Sequence, residues 1–584
     1  MCGIAGIVTA DGAPPDGAAL DRLSAALAHR GPDGNGRHVR GGTGLIQTRL
    51  AIIDLEGGRQ PIFDGEGRAI VANGEIYNYR ELRAEFPQDR FATESDCESP
   101  LHLYAAMGPA FATRLRGMYA IAIDDPVADQ VVLARDPFGI KPLYLCEGPF
   151  GLAFASEAQA LVAAGLVEAR PDPRVLAEHL QLQFSTGTET IFTGIRRLAP
   201  GETVIIRKGK VVETRDLAAL PVDETEPGDL ETLLYRLDDI LMEAVDLHQR
   251  ADVPYGLFLS GGIDSSALLA MMARLNPRPV LAFTAGFPGT RAHDERERAR
   301  ALAHHFGARH VEVAFDQADF WTLLPLVAAA MDEPVADYAC LPTYKLAQAA
   351  RAEVKVVLSG EGGDEIFAGY GRYRAALRPW LLARKMRNRG TFDGTDLFRV
   401  PLAGWRDGIK AAERDADQPG RTRLQMAQAV DCADWLPNDL LTKLDRCLMA
   451  NGIEGRVPFL DPIMAAFAFR LPDGMKLKRG LGKWLLRQWL EHTAPPARPF
   501  DRKHGFTVPV GEWIAARPEI GDLVAAQPLI AEICRPDAVR HLFRHAGPKT
   551  GMACWTLLFT ALWHQRHVLG HPAEGDAFAM LGRG

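Results

Sequence analysis

With 584 residues, 47% of them hydrophobic and 24% charged, the chain has material for two to four domains of ordinary size. A formal net charge of −8 argues against nucleic-acid binding, which needs clustered Lys and Arg to neutralise phosphates. No apolar run reaches the roughly 18 to 20 residues of a membrane helix. The start carries no basic segment followed by an apolar core, so no membrane partner is expected and the cytoplasm is the expected compartment.

Short β-type runs open the chain, at residues 3–8, 44–53, 69–71, 119–123, 130–133 and 203–207, with helical spacing clearest at 18–28 and 99–106. That pattern predicts a sheet-dominated α+β domain over residues 1–216. The polar stretch 217–228, with Pro221 and Pro227, is predicted to be a linker. From 229 to 584 the pattern changes. An amphipathic helix over 229–248 precedes a strand at 255–259, and Leu268, Leu269, Met272 and Leu275 then put one apolar stripe on a helix. Strands at 280–285, 310–313 and 354–358 alternate with helical stretches at 293–306 and 343–351, which predicts a parallel sheet covered on both faces. After about residue 380 the pattern is mostly helical.

The chain opens Met1-Cys2-Gly3-Ile4-Ala5-Gly6. Trimming of Met1 leaves Cys2 with a thiol and an α-amine whose pKa lies near about 7.7 to 8, so part of that amine is a free base near neutrality. A cysteine at the second position is weak evidence by itself, and the other seven, from Cys97 to Cys554, fit small buried apolar residues. Downstream lie Arg30-Gly31-Pro32-Asp33, the run Arg49 to Asp54, the run Asn73-Gly74-Glu75-Ile76-Tyr77-Asn78, and Ser95-Asp96. Each fragment could be an ordinary turn. Together they match glutamine, whose carboxylate an Arg pairs bidentately and whose ammonium a carboxylate such as Asp96 holds. Asn73 and the Gly74 N–H suit the oxyanion formed when a thiolate attacks the amide.

Further on, Leu257-Phe258-Leu259-Ser260-Gly261-Gly262-Ile263-Asp264-Ser265-Ser266 runs from an apolar strand through glycines into a helix. Glycines let backbone approach a phosphate, and a helix N-terminus offers unpaired N–H donors. The ending of a Walker A loop is missing. A second glycine loop, Ser359-Gly360-Glu361-Gly362-Gly363-Asp364-Glu365, also follows a strand. Asp264 and Asp364 are candidate Mg²⁺ ligands, because Glu361, Asp364 and Glu365 cannot all sit beside ATP without a cation.

Residues 2–157, with the run Ala134 to Tyr144 and Phe154-Ala155-Ser156-Glu157, resemble the class II glutamine amidotransferase domain, an N-terminal nucleophile sandwich. The two glycine loops resemble the ATP-pyrophosphatase type, which implies a positive charge for a leaving pyrophosphate, with Lys483 the candidate. Their order, with Glu454-Gly455-Arg456-Val457-Pro458-Phe459-Leu460-Asp461 and the 502–506 segment, resembles glutamine-hydrolysing asparagine synthetases over almost the whole chain. The resemblance implies that Cys2 is the nucleophile and that Arg49, Asn73, Gly74, Glu75 and Asp96 line a glutamine site. It also implies that Leu259, Ser359, Gly360 and the backbone near Ala285 contact ATP, with Ser260, Gly261, Gly262, Asp264 and Ser265 in the same loop, and that Glu361 serves formation of a β-aspartyl-adenylate. Aspartate is the implied acceptor, another carboxylate the alternative, and a homodimer the implied assembly. Pro137 and Cys97 depart from the commoner family residues without touching a proposed chemical step. A rival of another class is a non-catalytic glutamine or nucleotide sensor, which would be expected to have lost Cys2, Asp264 or Glu361; all three are present.

Overall fold

The computed structural model describes residues 2–87, 90–222, 225–290, 294–378, 386–501 and 507–583. The first strands are β1 (Gly3–Thr9), β2 (Gly34–Arg40), β3 (Thr43–Arg49), β4 (Ile62–Phe63), β5 (Ala69–Ile76) and β6 (Gly117–Asp125). They are followed by β7 (Gln130–Arg135), β8 (Tyr144–Gly148), β9 (Gly151–Ala155), β10 (Ile195–Arg197), β11 (Glu202–Arg207) and β12 (Lys210–Asp216). Two six-stranded sheets result, in the orders β10-β8-β9-β1-β3-β2 and β12-β11-β7-β6-β5-β4, and the pairings are antiparallel.

Side chains alternate across a strand, so a strand buried on both faces serves two cores. On β1, Ile4 and Val8 join Leu45, Val71, Ala122, Leu133 and Phe154 in one apolar cluster. Ala5 and Ile7 point the other way and belong with Ala19, Leu20, Leu23 and Leu27 of the helix Gly17–Ala26 and its end. The result is the α+β sandwich expected. β2, with the sequence GNGRHVR, gave no apolar alternation to read; it is an edge strand whose residues are half-buried or exposed.

The second part is built on five parallel strands, β13 (Tyr255–Phe258), β14 (Leu281–Gly286), β15 (Arg309–Ala314), β16 (Val356–Leu358) and β17 (Glu454–Arg456). Their order is β15-β14-β13-β16-β17. The chain builds outward from β13 in one direction and then returns to β13's other side with β16. Such a reversal leaves a crevice at the carboxyl ends of the two central strands, where ligands of open α/β sheets bind. Both glycine loops leave from those two strands. The region after about residue 380 is mostly helical, as expected; β17 is a short exception in it, three residues being too few to show a period.

The helix Leu230–His248 buries Leu233, Leu237, Leu241, Ala244 and Val245 along one stripe, and the Asp229 side chain caps it by accepting from the Thr232 N–H. Near the end of the chain, Gly551–His567 is helical and buried almost all round. Its Trp555 and Trp563 indoles donate to the Ala336 and Asp332 carbonyls at 2.6 and 3.0 Å, and Thr560 meets His179 of the first domain at 2.8 Å. This segment, inside the stretch expected to be mostly helical, thus contacts residues of both parts. No helix among the described residues is long and apolar enough to cross a membrane.

Candidate active site

Cys2 sits just before β1, 8% exposed. Its backbone N–H donates to Asn73 Oδ1 at 3.1 Å, and its carbonyl accepts from Arg30 Nε at 3.2 Å. Burial pushes the thiol above its ordinary range, and the Leu50 N–H opposes that shift. The Asn73 amide nitrogen is buried and has no hydrogen-bond partner. Its other amide atom holds the Cys2 nitrogen, so this side chain keeps a free donor beside the sulfur-bearing residue. That is the disposition an oxyanion needs. Gly74 has φ +156, and a Cβ there would lie 2.0 Å from the Met118 carbonyl oxygen. No other residue fits this strand position.

Asp96 is buried, and one carboxylate oxygen accepts the Ile76 N–H at 2.7 Å. Burial pushes its carboxyl up to about 6. Arg49, at the end of β3, donates to the Leu55 and Asp54 carbonyls at 2.9 and 2.6 Å, and so holds the following loop. Glu75 lies 3.3 Å from Arg456, a residue of β17. Burial, then the nearby Asp96, raise the Glu75 carboxyl well above the usual range.

Sequence reasoning gave no role to the ion pairs behind Cys2. Arg30 donates to Glu157 at 2.8 Å and to both oxygens of Asp445 at 2.8 and 3.0 Å. Arg446 donates to Asp332 at 2.6 Å and to Asp445 at 2.9 Å. The Arg30-Gly31-Pro32-Asp33 and Phe154-Ala155-Ser156-Glu157 motifs were signals for Arg30 and Glu157; Asp445, Asp332 and Arg446, distant in sequence, gave none.

At the second site the two glycine loops touch. A Cβ on Gly360 would lie 2.8 Å from Asp264 Cβ, and one on Gly363 would lie 2.5 Å from Asp264 Oδ1. Glycine is needed here for close approach. The Ser260 and Ser265 hydroxyls meet at 3.1 Å, and the Gly262 N–H donates to Ser260 Oγ at 3.2 Å. The helix Ile263–Leu275 begins directly after Gly261 and Gly262, and no side chain caps it. Leu259 is held from β14 by its N–H to the Phe283 carbonyl at 2.9 Å and by the Thr284 hydroxyl on its own carbonyl at 2.5 Å. Ala285 follows on that strand. The Ser359 N–H donates to the Arg456 carbonyl at 2.8 Å, and its hydroxyl to Glu361 at 3.1 Å.

Lys483 is 1% exposed, and its ammonium contacts Asp264 and, at 2.8 Å, Asp364. Burial opposes its charge, but the two carboxylates outweigh burial and raise its pKa. Among the described residues no group of three or more His, Cys, Asp or Glu is placed to hold a metal. Two convergent carboxylates nevertheless suit Mg²⁺, which takes one or two and fills its shell with phosphate oxygens and water. Glu365, expected to share a cation with Glu361 and Asp364, has a partner of its own instead. It is buried, accepts the Tyr370 hydroxyl at 2.6 Å, and burial pushes its carboxyl up to about 7. The 502–506 segment and Met1 lie outside the described residues.

The asparagine synthase family matches residues 236–565, and the glutamine amidotransferase domain family matches residues 1–216. This chain belongs to the asparagine synthase family. A Mycobacterium bovis protein with asparagine synthetase in its name is 36% identical, over 97% of each chain. Glutamine-hydrolyzing asparagine synthetase 1 of Bacillus subtilis is 30% identical over 94% of each. Asparagine synthetase B of Escherichia coli is 29% identical over 89% of this chain and 84% of that one. Membership makes the chain an enzyme, a ligase that amidates a carboxylate with nitrogen from glutamine and uses ATP as a substrate.

Proposed function

We propose that the enzyme converts aspartate to asparagine through a β-aspartyl-adenylate, releasing AMP and pyrophosphate. The observation that carries the adenylate reading is the Lys483 ammonium between Asp264 and Asp364, where the two glycine loops meet at the reversal of strand order. A buried cation there is suited to a departing pyrophosphate.

In the first site, with Met1 removed, the Cys2 amine assists the thiol as base and the thiolate attacks the glutamine amide carbon. The Asn73 amide N–H and the Gly74 N–H take the oxyanion, the C–N bond breaks, and ammonia leaves a glutamyl thioester that water hydrolyses. Arg49 and Asp96, with Glu75, hold the glutamine head group. In the second site the acceptor carboxylate attacks the α-phosphorus, pyrophosphate departs, and ammonia displaces AMP from the acyl carbon. Ser260, Gly261, Gly262, Ser265, Leu259, Ala285, Ser359 and Gly360 position the nucleotide, and Glu361 serves the adenylate step. Mg²⁺, held by Asp264 and Asp364, would neutralise the phosphate charge. Ammonia travels between the sites inside the protein, since free ammonia is mostly protonated and non-nucleophilic at neutral pH. We read the enzyme as a cytoplasmic homodimer of 1–216 and 229–584 domains joined at 217–228.

Cys2→Ala tests the division of labour. With Mg-ATP and aspartate, the variant should make asparagine and pyrophosphate from ammonium at near wild-type rate and none from glutamine. Equal loss with both nitrogen sources, or no loss with glutamine, would overturn the reading.

A further inference from the structure

Gln428 stands on the helix Arg423–Val430 with no exposed surface, and both ends of its amide are used. The amide nitrogen donates to the Glu365 and Ile366 carbonyls, each at 2.7 Å. These carbonyls close the short helix Gly363–Ile366, and the last carbonyls of a helix have no partner within it. The amide oxygen accepts from the Lys476 ammonium at 3.1 Å. Lys476 is equally buried and also donates to the Phe469 carbonyl at 2.5 Å. An ammonium only donates, so Lys476 fixes which end of the amide faces the helix.

The two segments that Gln428 joins carry the two partners of an ion pair in the proposed adenylation site. Asp364 lies on the helix Gly363–Ile366. Lys476 leads into a hairpin of Leu477–Lys478 and Leu481–Gly482, in which Leu477 pairs with Gly482, and Lys483 is the next residue out of it. The Lys483 N–H then returns to the Phe367 carbonyl at 3.0 Å. One small apolar cluster takes Leu424 and Ala427 from the helix of Gln428, Leu477 from the hairpin, and Ala368 and Tyr373 from the chain after Ile366. Helix, hairpin and loop thus pack as one unit.

We infer that Gln428 is a positioning residue for adenylation: its amide clamps the Asp364 helix to the Lys483 hairpin and so sets the Asp364–Lys483 contact of 2.8 Å. This rests on the adenylate reading proposed above. Without the amide, two carbonyls and a lysine stay buried with bonds unmade, and the two segments move apart.

The test measures kcat for pyrophosphate formation from Mg-ATP, aspartate and ammonium, and separately glutamate release from glutamine without ATP. Gln428→Leu and Lys476→Met should each cut the first at least about tenfold, the effect of a small misplacement, and leave the second within about twofold. The double variant should fall no further than the lower single, as for groups that act as a unit. Lys476→Arg keeps donors and should recover part of the loss. If Gln428→Leu does not fold, Gln428→Asn, one methylene shorter, is read in its place. Wild-type kcat in either variant, equal loss of both activities, or losses that multiply in the double would overturn the clamp. If the wild type forms no pyrophosphate, the adenylate reading falls instead, and amide hydrogen exchange without nucleotide decides the clamp. Exchange at least about tenfold faster in Gln428→Leu over both 363–369 and 477–483 supports it, and wild-type exchange in either segment overturns it.

Discussion

The Arg456 guanidinium stands 3.3 Å from Glu75, and through this pair the last strand of the parallel sheet reaches the strand that carries Asn73. The backbone of the same residue accepts the Ser359 N–H at 2.8 Å. The proposed glutamine site and the proposed nucleotide site are thus one residue apart. Arg456 also pairs with Glu454 at 2.6 Å and donates to the His248 and Arg250 carbonyls, with no exposed surface.

Removing one partner from such a buried set leaves charges uncompensated, at a cost of about 3 to 5 kcal/mol. Arg456→Met should therefore lower the thermal midpoint measured by calorimetry. It should also raise the ratio of glutamate to pyrophosphate formed, because glutamine hydrolysis loses its link to the nucleotide loop. A variant with wild-type stability and ratio would refute this role.

Asp96 gives a pH dependence with a definite sign. Burial raises its carboxyl to about 6, so it is ionised above that pH and neutral below it. In the proposed site the ionised form holds the glutamine ammonium. Besides the fall caused by protonation of the Cys2 amine, glutaminase kcat/KM should show a second acid limb near pH 6 that lowers it about tenfold further by pH 5. In Asp96→Asn the activity should be low and this acid limb should vanish. An unchanged limb in the variant would assign the titration to another group.

Gly369 is a position whose size matters for the proposed adenylation site. Its N–H donates to the Asp364 carbonyl at 2.7 Å, and a Cβ there would lie 1.9 Å from Asp364 Oδ1 and 2.3 Å from Lys483 Cε. Gly369→Ala should displace that pair and cut pyrophosphate formation by about a hundredfold, the usual cost of a misplacement near 1 Å. Ammonia release from glutamine without ATP should stay within about twofold. Wild-type pyrophosphate formation would show that the Lys483–Asp364 contact is not used.

What the sequence revealed was local chemistry. Cys2, the Asn73-Gly74 pair and the two glycine loops are contiguous motifs; Cys2 and the loops lie at strand ends, whereas Asn73-Gly74, whose residues suit a turn, lies within β5. Contacts that close over long distances left no trace: Arg30 and Asp445 are 415 positions apart, and neither flanking segment names the other. Glu365 looked like its neighbours in composition, yet helix geometry at Gly363–Ile366 turns it to Tyr370. The π-helix Asp431–Leu441 was unreadable for a related reason, since its widened turns match neither the 3.6-residue nor the 2-residue period.

The central claim is that a carboxylate is activated by bonding to the α-phosphorus of ATP before ammonia arrives. Aspartate labelled with ¹⁸O in its β-carboxylate, incubated with the enzyme, glutamine and Mg-ATP, tests this directly by mass spectrometry of the nucleotide products. The account predicts one labelled oxygen in AMP and none in pyrophosphate; ADP with labelled inorganic phosphate would contradict it.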